Sequence, residues 1–290
     1  MHLRIMVSRH SAFYSPLISA LAAGFLEDAG LTAEYAILAP GQTAHEAIRN
    51  GDADVLQSAV SANWRPLEEG ISPLPVHFAL LNRRDGFFLA ARRPAAKEFQ
   101  WKDLEGRTLL ADHGGQPLAM LRYALHYNGV DWRKIHVPDR GAPEQMSEAF
   151  RRGEGDFIHL QGPGPQILEE EGLASNAVSI GDSMPEVAFS TLCCSREFLS
   201  TDAFLPFLSA FRQAREWVRT ANPQLVAAKE AGFFTGVSLA ALTRAAGRYQ
   251  QLGTWSGSTD ITPALYEQAL NVFEYSNGVA ARHPFELVCR

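Results

Sequence analysis

Cysteine is scarce in this chain. Only Cys193, Cys194 and Cys289 occur in 290 residues. An odd count with two adjacent members makes no disulfide framework, and it predicts reduced thiols in a reducing compartment. Adjacent cysteines lack the spacer of zinc-ligand pairs, and no two histidines stand at metal-helix spacing, so neither a metal nor a cofactor is expected. Cys193-Cys194 reads more simply as small residues in a buried strand. Long apolar runs are missing as well; nothing approaches the ~18 residues that span a bilayer. Positive charge is in deficit, with 26 Lys+Arg against 32 Asp+Glu and a net charge of −6. That balance excludes a broad nucleic-acid footprint. There is no Gly-x-Ser-x-Gly elbow and no phosphate loop, and the prolines around Gly162-Pro163-Gly164 forbid a dinucleotide turn. Residues 1–7 lead straight into a strand-like run, without the basic region, apolar region and cleavage site of an export signal. A cytoplasmic location is therefore expected, or a periplasmic one if an export signal has been removed.

What is present is a core of ordinary richness: 46% hydrophobic and 20% charged residues. This suits two lobes of roughly 100–150 residues each. Strand 3–7 is followed by the polar turn Ser8-Arg9-His10-Ser11-Ala12-Phe13-Tyr14-Ser15. Helix 16–29 then carries Leu17, Leu21 and Phe25 on one face, with Ser15 as cap, Pro16 in the first turn and Gly30 as stop. A second turn, Pro40-Gly41-Gln42-Thr43, opens helix 43–50, and a buried strand ends at 55–59. Both turns lie at strand C-terminal ends and open helices, which is the ligand edge of an open α/β sheet.

Strands 75–81 and 86–91 follow, and then the pattern restarts. Strand 108–111 leads to the turn Asp112-His113-Gly114-Gly115-Gln116-Pro117 and helix 118–127. Strand 135–138, helix 143–152, strand 157–160 and helix 166–171 come next. A return strand at 186–194 precedes helices 204–219 and 263–275, the last capped by Thr262. The expected fold is α/β with two lobes, each a mixed sheet flanked by helices. Lobe 1 is discontinuous, 1–87 and 192–290; lobe 2 is 88–191. The chain crosses between them near 87–91 and 187–194, a two-strand hinge about which the lobes close.

Several segments carry a family likeness: Phe13-Tyr14, Ala23-Gly24-Phe25-Leu26, Ala29-Gly30-Leu31, Gly41-Gln42-Thr43 and Gly51-Asp52-Ala53-Asp54-Val55. Asp103-Leu104-Glu105-Gly106-Arg107, Gly153-Glu154-Gly155-Asp156-Phe157 and Arg196-Glu197-Phe198-Leu199 add to it. The chain resembles the nitrate/sulfonate/taurine-type substrate-binding proteins and, by the same pattern, the thiamine-pyrimidine synthase-like proteins. The resemblance implies the periplasmic-binding-protein type II fold, with ligand held between the lobes. The synthases' cysteine-rich motif is not matched by Cys193-Cys194-Ser195. Related desulfinases use a cysteine on the first cleft turn, and residues 8–15 have none.

Candidate ligand contacts come from the turns. Arg9 and His10 either meet an anionic group or are a surface arginine and a backbone-satisfied histidine. Phe13 and Tyr14 either stack on a flat ligand or pack the helix start. Gly41 permits close approach, while Gln42 and Thr43 are contact or cap. Ser58, with Ser61, ends the third strand. His113, Gly114 and Gln116 form the second lobe's equivalent turn. His159 and Gln161 end strand 157–160, and Glu186 precedes the return strand. The function expected is binding of a small polar or aromatic ligand, anionic or not. An ABC transporter membrane subunit would be the partner if the protein is exported. The rival is a cytoplasmic enzyme on the same scaffold, a decarboxylase, desulfinase, lyase or hydrolase, with His10, His113 and His159 as acid-base groups. A third class, the ligand-responsive regulator, lacks any DNA-binding segment here.

Overall fold

The computed structural model describes residues 1–93 and 99–290. Among these, nine strands follow in order: β1 (His2–Val7), β2 (Thr32–Ile37), β3 (Val55–Ser58), β4 (Val76–Asn82), β5 (Phe87–Arg92), β6 (Leu109–Leu110), β7 (Phe157–Gln161), β8 (Ala174–Ser179) and β9 (Ser190–Cys194). They form two sheets. The first runs β2-β1-β3-β9-β4 and the second β6-β7-β5-β8. In the first, β1 pairs parallel with β2 and β3, and β9 lies antiparallel between β3 and β4. In the second, β5 is antiparallel to both β7 and β8, and β6 is parallel to β7. The chain therefore leaves the first sheet after β4 and returns to it at β9. No helix among the described residues is long and apolar enough to cross a membrane.

Local chemistry explains the elements. In β1, Leu3, Ile5 and Val7 are buried at every second position, as one covered sheet face requires. All five residues of β9 are buried, so Cys193 and Cys194 are core thiols, and burial pushes Cys194 up to about 12. Thr43 caps helix Ala44–Arg49 through a reciprocal box with Glu46. The aromatic side chains Phe13, Phe87, Phe88, Tyr249 and Trp255 are fully buried in one cluster that draws on both sheets. Each such ring contributes about 1.5–3 kcal/mol by leaving water.

Four expectations change. Helix 16–29 is two helices, Ser15–Ala22 and Phe25–Asp28, because Gly24 takes a left-handed φ of +88° between them. Segment 135–138 forms no strand; only His136 bridges to Thr108, beside a β6 that is itself two residues long. Strand β8 escapes sequence reading because Ala174–Ser179 is small and polar, without alternation. The return strand begins at Ser190 rather than 186. Residues 183–189 instead run alongside the outgoing crossing, where Val187 N donates to Arg83 O (2.8 Å) and Phe189 N to Asn82 O (3.2 Å). Helices Pro223–Glu230 and Leu239–Gln251 complete the C-terminal region.

Candidate functional site

The strand ends of the two sheets face one cavity of about 400 Å³. From the first sheet come Ser8 after β1, Gln57 and Ser58 in β3, Ser61 beyond it and Ser190 at the start of β9. From the second come Phe87, Gln161, Gly114 and Gln116. The N-terminal end of helix Gly115–Tyr127 therefore opens onto the cavity.

Tyr14, just before helix Ser15–Ala22, also lines it. Burial holds its phenol above the usual range, although the neighbouring Ser190 and Gln161 side chains and the Arg9 charge oppose the shift. It is therefore a neutral group at pH 7. Gln57 Oε1 accepts from Ser8 N (3.2 Å) and Ser8 Oγ (3.0 Å).

Contacts bridge the cavity from sheet to sheet. Ser61 Oγ donates to Gln116 Oε1 (2.7 Å), whose Nε2 donates to Phe189 O (2.7 Å). Arg9 Nη1 lies 2.5 Å from Asp112 Oδ2. Ser11 Oγ donates to Gly162 O (2.7 Å), as does Ala12 N (3.1 Å). Some polar groups are left over. Gln161 Oε1 is buried without a partner among the described residues, and no hydrogen bond joins the Ser58 side chain to another described residue.

Of the residues singled out by sequence, Arg9, Tyr14, Ser58, Gly114, Gln116 and Gln161 line this cavity. The others are placed elsewhere, each for a physical reason. Phe13 is wholly in the core, edge-on to Phe189 (5.3 Å) and against Tyr249 (5.2 Å), because neighbours in the Ala12–Tyr14 turn point in different directions. His10 bonds Tyr35 Oη (2.8 Å) and packs on Phe234 (4.4 Å), so it lines a second cavity of about 460 Å³. Burial lowers its pKa, leaving it neutral.

Gly41 is an exposed turn glycine at φ +82°, Gln42 Nε2 donates to Asp52 Oδ2 (2.8 Å), and Thr43 is spent on its helix cap. His113 is half-buried, with Nδ1 3.8 Å from Asp139. His159 is fully buried and stacked on Phe87 at 4.3 Å; desolvation lowers its pKa to about 3. Glu186 faces the crossing, where Oε2 meets Arg83 Nη1 and Oε1 meets Arg84 Nη2, both at 3.3 Å. His10, Gln42, His113 and His159 thus do not join Tyr14 in one pocket.

Sequence reading passed over Ser8, Gln57, Phe189 and Ser190. Ser8 and Gln57 obey the same strand-end rule and were within its reach. Phe189 and Ser190 were not, because only the returning chain brings them in.

The model of the family described as NMT1/THI5 like matches residues 12–226. The chain belongs to that family. The NMT1/THI5-like protein is 27% identical to Bacillus subtilis (strain 168) YtlA over 213 residues, 72% of this chain but 64% of YtlA, so it spans under two thirds of that relative. Among solved structures it is similar to the alkanesulfonate-binding protein SsuA from Xanthomonas axonopodis pv. citri bound to MOPS. The TM-score is 0.71 at 17% identity, covering 100% of this chain and 98% of the other. It is also similar to the periplasmic nitrate-binding protein NrtA from Synechocystis PCC 6803, with a TM-score of 0.70 at 13% identity, covering 100% and 86%. These likenesses establish the periplasmic-binding-protein fold. They lend the expected cytoplasmic location no support; the periplasmic alternative is the one that agrees with them.

Proposed function

We propose that this NMT1/THI5-like protein is the substrate-binding component of an ABC-type importer, working outside the cytoplasm and holding a small molecule between two lobes. The observation that carries the reading is the cavity itself. Its polar lining is drawn from the strand ends of both sheets, and side chains bridge it at Ser61–Gln116 and Arg9–Asp112. A ligand there touches both halves at once, so binding favours closure. One lobe is built on the sheet of β1–β4 and β9 and the other on the sheet of β5–β8, so that, against the expected bounds, Phe87 goes with the second and Ser190 and Thr191 with the first. The lobes hinge at the two crossings, which Glu186 holds together through Arg83 and Arg84. The family membership supports this reading, as does the fold shared with SsuA and NrtA, which bind alkanesulfonate and nitrate. The enzyme alternative has less behind it, since none of His10, His113 and His159 lines the cavity.

The test is native mass spectrometry of the purified protein, with small-angle scattering before and after the bound molecule is removed. Expected are one small molecule per chain and a larger radius once it is removed. Tyr14→Ala should weaken retention by about 1–3 kcal/mol, the cost of a lost buried hydrogen bond. A chain of unchanged radius whose ligand survives Tyr14→Ala would count against the cleft.

A further inference from the structure

The charge pattern of the cavity separates this chain from a receptor for simple anions. We infer that the cleft takes an uncharged ring compound bearing N–H or O–H donors, and that Asp112 excludes anions from it. This rests on the binding reading above and narrows its ligand.

Arg9 is the one charged side chain among the described residues lining the cavity. Its charge is already paired, with Nη1 2.5 Å from Asp112 Oδ2, although this contact lacks hydrogen-bond geometry. The other carboxylate oxygen, Oδ1, accepts from Gly114 N at 2.8 Å, just before helix Gly115–Tyr127. That helix carries Pro117 in its first turn, which removes a further amide donor. One carboxylate of the protein thus occupies the cavity's cation and the Gly114 amide. Displacing it strands a mostly buried carboxylate without a partner, which costs more than the new pair returns.

The unspent groups point the same way. Gln161 Oε1 is a buried acceptor with no donor among the described residues. Nitrate and a sulfonate head group offer acceptors only, so neither satisfies it; a ring N–H or hydroxyl does. The Ser58 hydroxyl can serve as donor or acceptor. Phe87 and Phe189 supply apolar lining for the flat part of such a ligand.

Calorimetry on the wild type, Asp112→Asn, Asp112→Ala and Arg9→Gln/Asp112→Asn tests this. The probes are nitrate, methanesulfonate, nicotinamide, uracil and benzamide. Asparagine in place of Asp112 keeps the acceptor for Gly114 N and frees Arg9, and the alanine variant stands in should asparagine disturb folding. Expected for the wild type is binding of at least one uncharged probe and of neither anion. Releasing Arg9 should then raise anion affinity at least about tenfold, and the double variant should lose that gain.

Saturable binding of either anion by the wild type would overturn the inference while leaving a ligand-binding cleft in place. So would folded Asp112→Asn and Asp112→Ala proteins that gain no anion affinity. Failure of all three uncharged probes on the wild type overturns the uncharged half of the inference. Silence of every protein toward every probe counts against the binding reading as well.

Discussion

Replacing Glu230 by glutamine should stabilise the protein at pH 8 and leave it little changed near pH 4.5. Glu230 ends helix Pro223–Glu230 and is buried against helix Ser15–Ala22. Its Oε2 is 2.8 Å from Ser15 Oγ and its Oε1 2.5 Å from Ser19 Oγ. Ser15 Oγ is also 2.8 Å from Ala12 O, a pure acceptor that claims the single hydroxyl proton. The contact between Ser15 and Glu230 then needs a proton from the carboxyl. Burial supplies the reason for it to stay, raising the group from 4.5 to about 8.

The sign follows from proton counting. Below pH 4.5 both folded and unfolded chains hold the proton, and the group costs nothing. Between pH 4.5 and 8 the unfolded chain releases it while the native chain keeps it, so stability falls by about 1.4 kcal/mol per pH unit. Above pH 8 the native carboxyl ionises too and the loss is complete. The substituted glutamine mimics the protonated acid at every pH, its amide donating to Ser15 Oγ and its carbonyl accepting from Ser19 Oγ. Urea unfolding should therefore give Glu230→Gln a gain of about 4–5 kcal/mol at pH 8 and little difference near pH 4.5. Parallel pH profiles for the two proteins, or a loss in the variant at both pH values, would refute the reasoning. Tyr14 precedes the helix that Glu230 pins, so the same proton helps fix one wall of the cleft.

Three further outcomes are expected. Asp85 is buried with Oδ1 accepting from Phe87 N (2.6 Å) and Oδ2 without a hydrogen-bond partner among the described residues, and burial pushes it up to about 8, so Asp85→Asn should likewise flatten the fall in stability between pH 4 and 8; an unchanged slope in urea titrations refutes this. Tyr249 Oη accepts from Gly162 N (2.7 Å) and donates to Gly86 O (2.9 Å), so Tyr249→Phe leaves both unpaired in the core and should cost about 2–4 kcal/mol by urea unfolding, where a change under about 0.5 kcal/mol refutes it. Glu186→Gln loosens part-exposed ion pairs worth about 0–1 kcal/mol, so affinity for the retained ligand should stay within about twofold by calorimetry, whereas a tenfold loss would return Glu186 to the ligand.

Much of the fold was legible because the information is local. The turn glycines, the Thr43 and Thr262 caps and the alternation of Leu3, Ile5 and Val7 each fix a piece within a few residues of themselves. What escaped was set at longer range. The small, polar β8 is a strand because it pairs with β5, and no propensity of its own announces it. Phe25 continues the apolar face begun by Leu17 and Leu21, which hid the break that Gly24 makes in the helix.

The site divides along the same line. The strand-end rule pointed to Tyr14, Ser58, Gln116 and Gln161, which line the candidate cavity, because position at a sheet edge is a topological property that sequence order reveals. It could not say which polar groups were already spent. Thr43 and Gln42 obey the rule as well as Ser58 does, yet one is consumed by Glu46 and the other by Asp52. Histidine drew attention as the residue that titrates near neutral pH, but packing removed that property: His10 is desolvated by Phe234 and Tyr35, and His159 is sealed against Phe87. Arg9 is the sharpest case. As a lone cation on a cleft turn it reads as an anion receptor. Asp112, far away in the chain and placed opposite it by the other sheet, turns the same guanidinium into half of an ion pair.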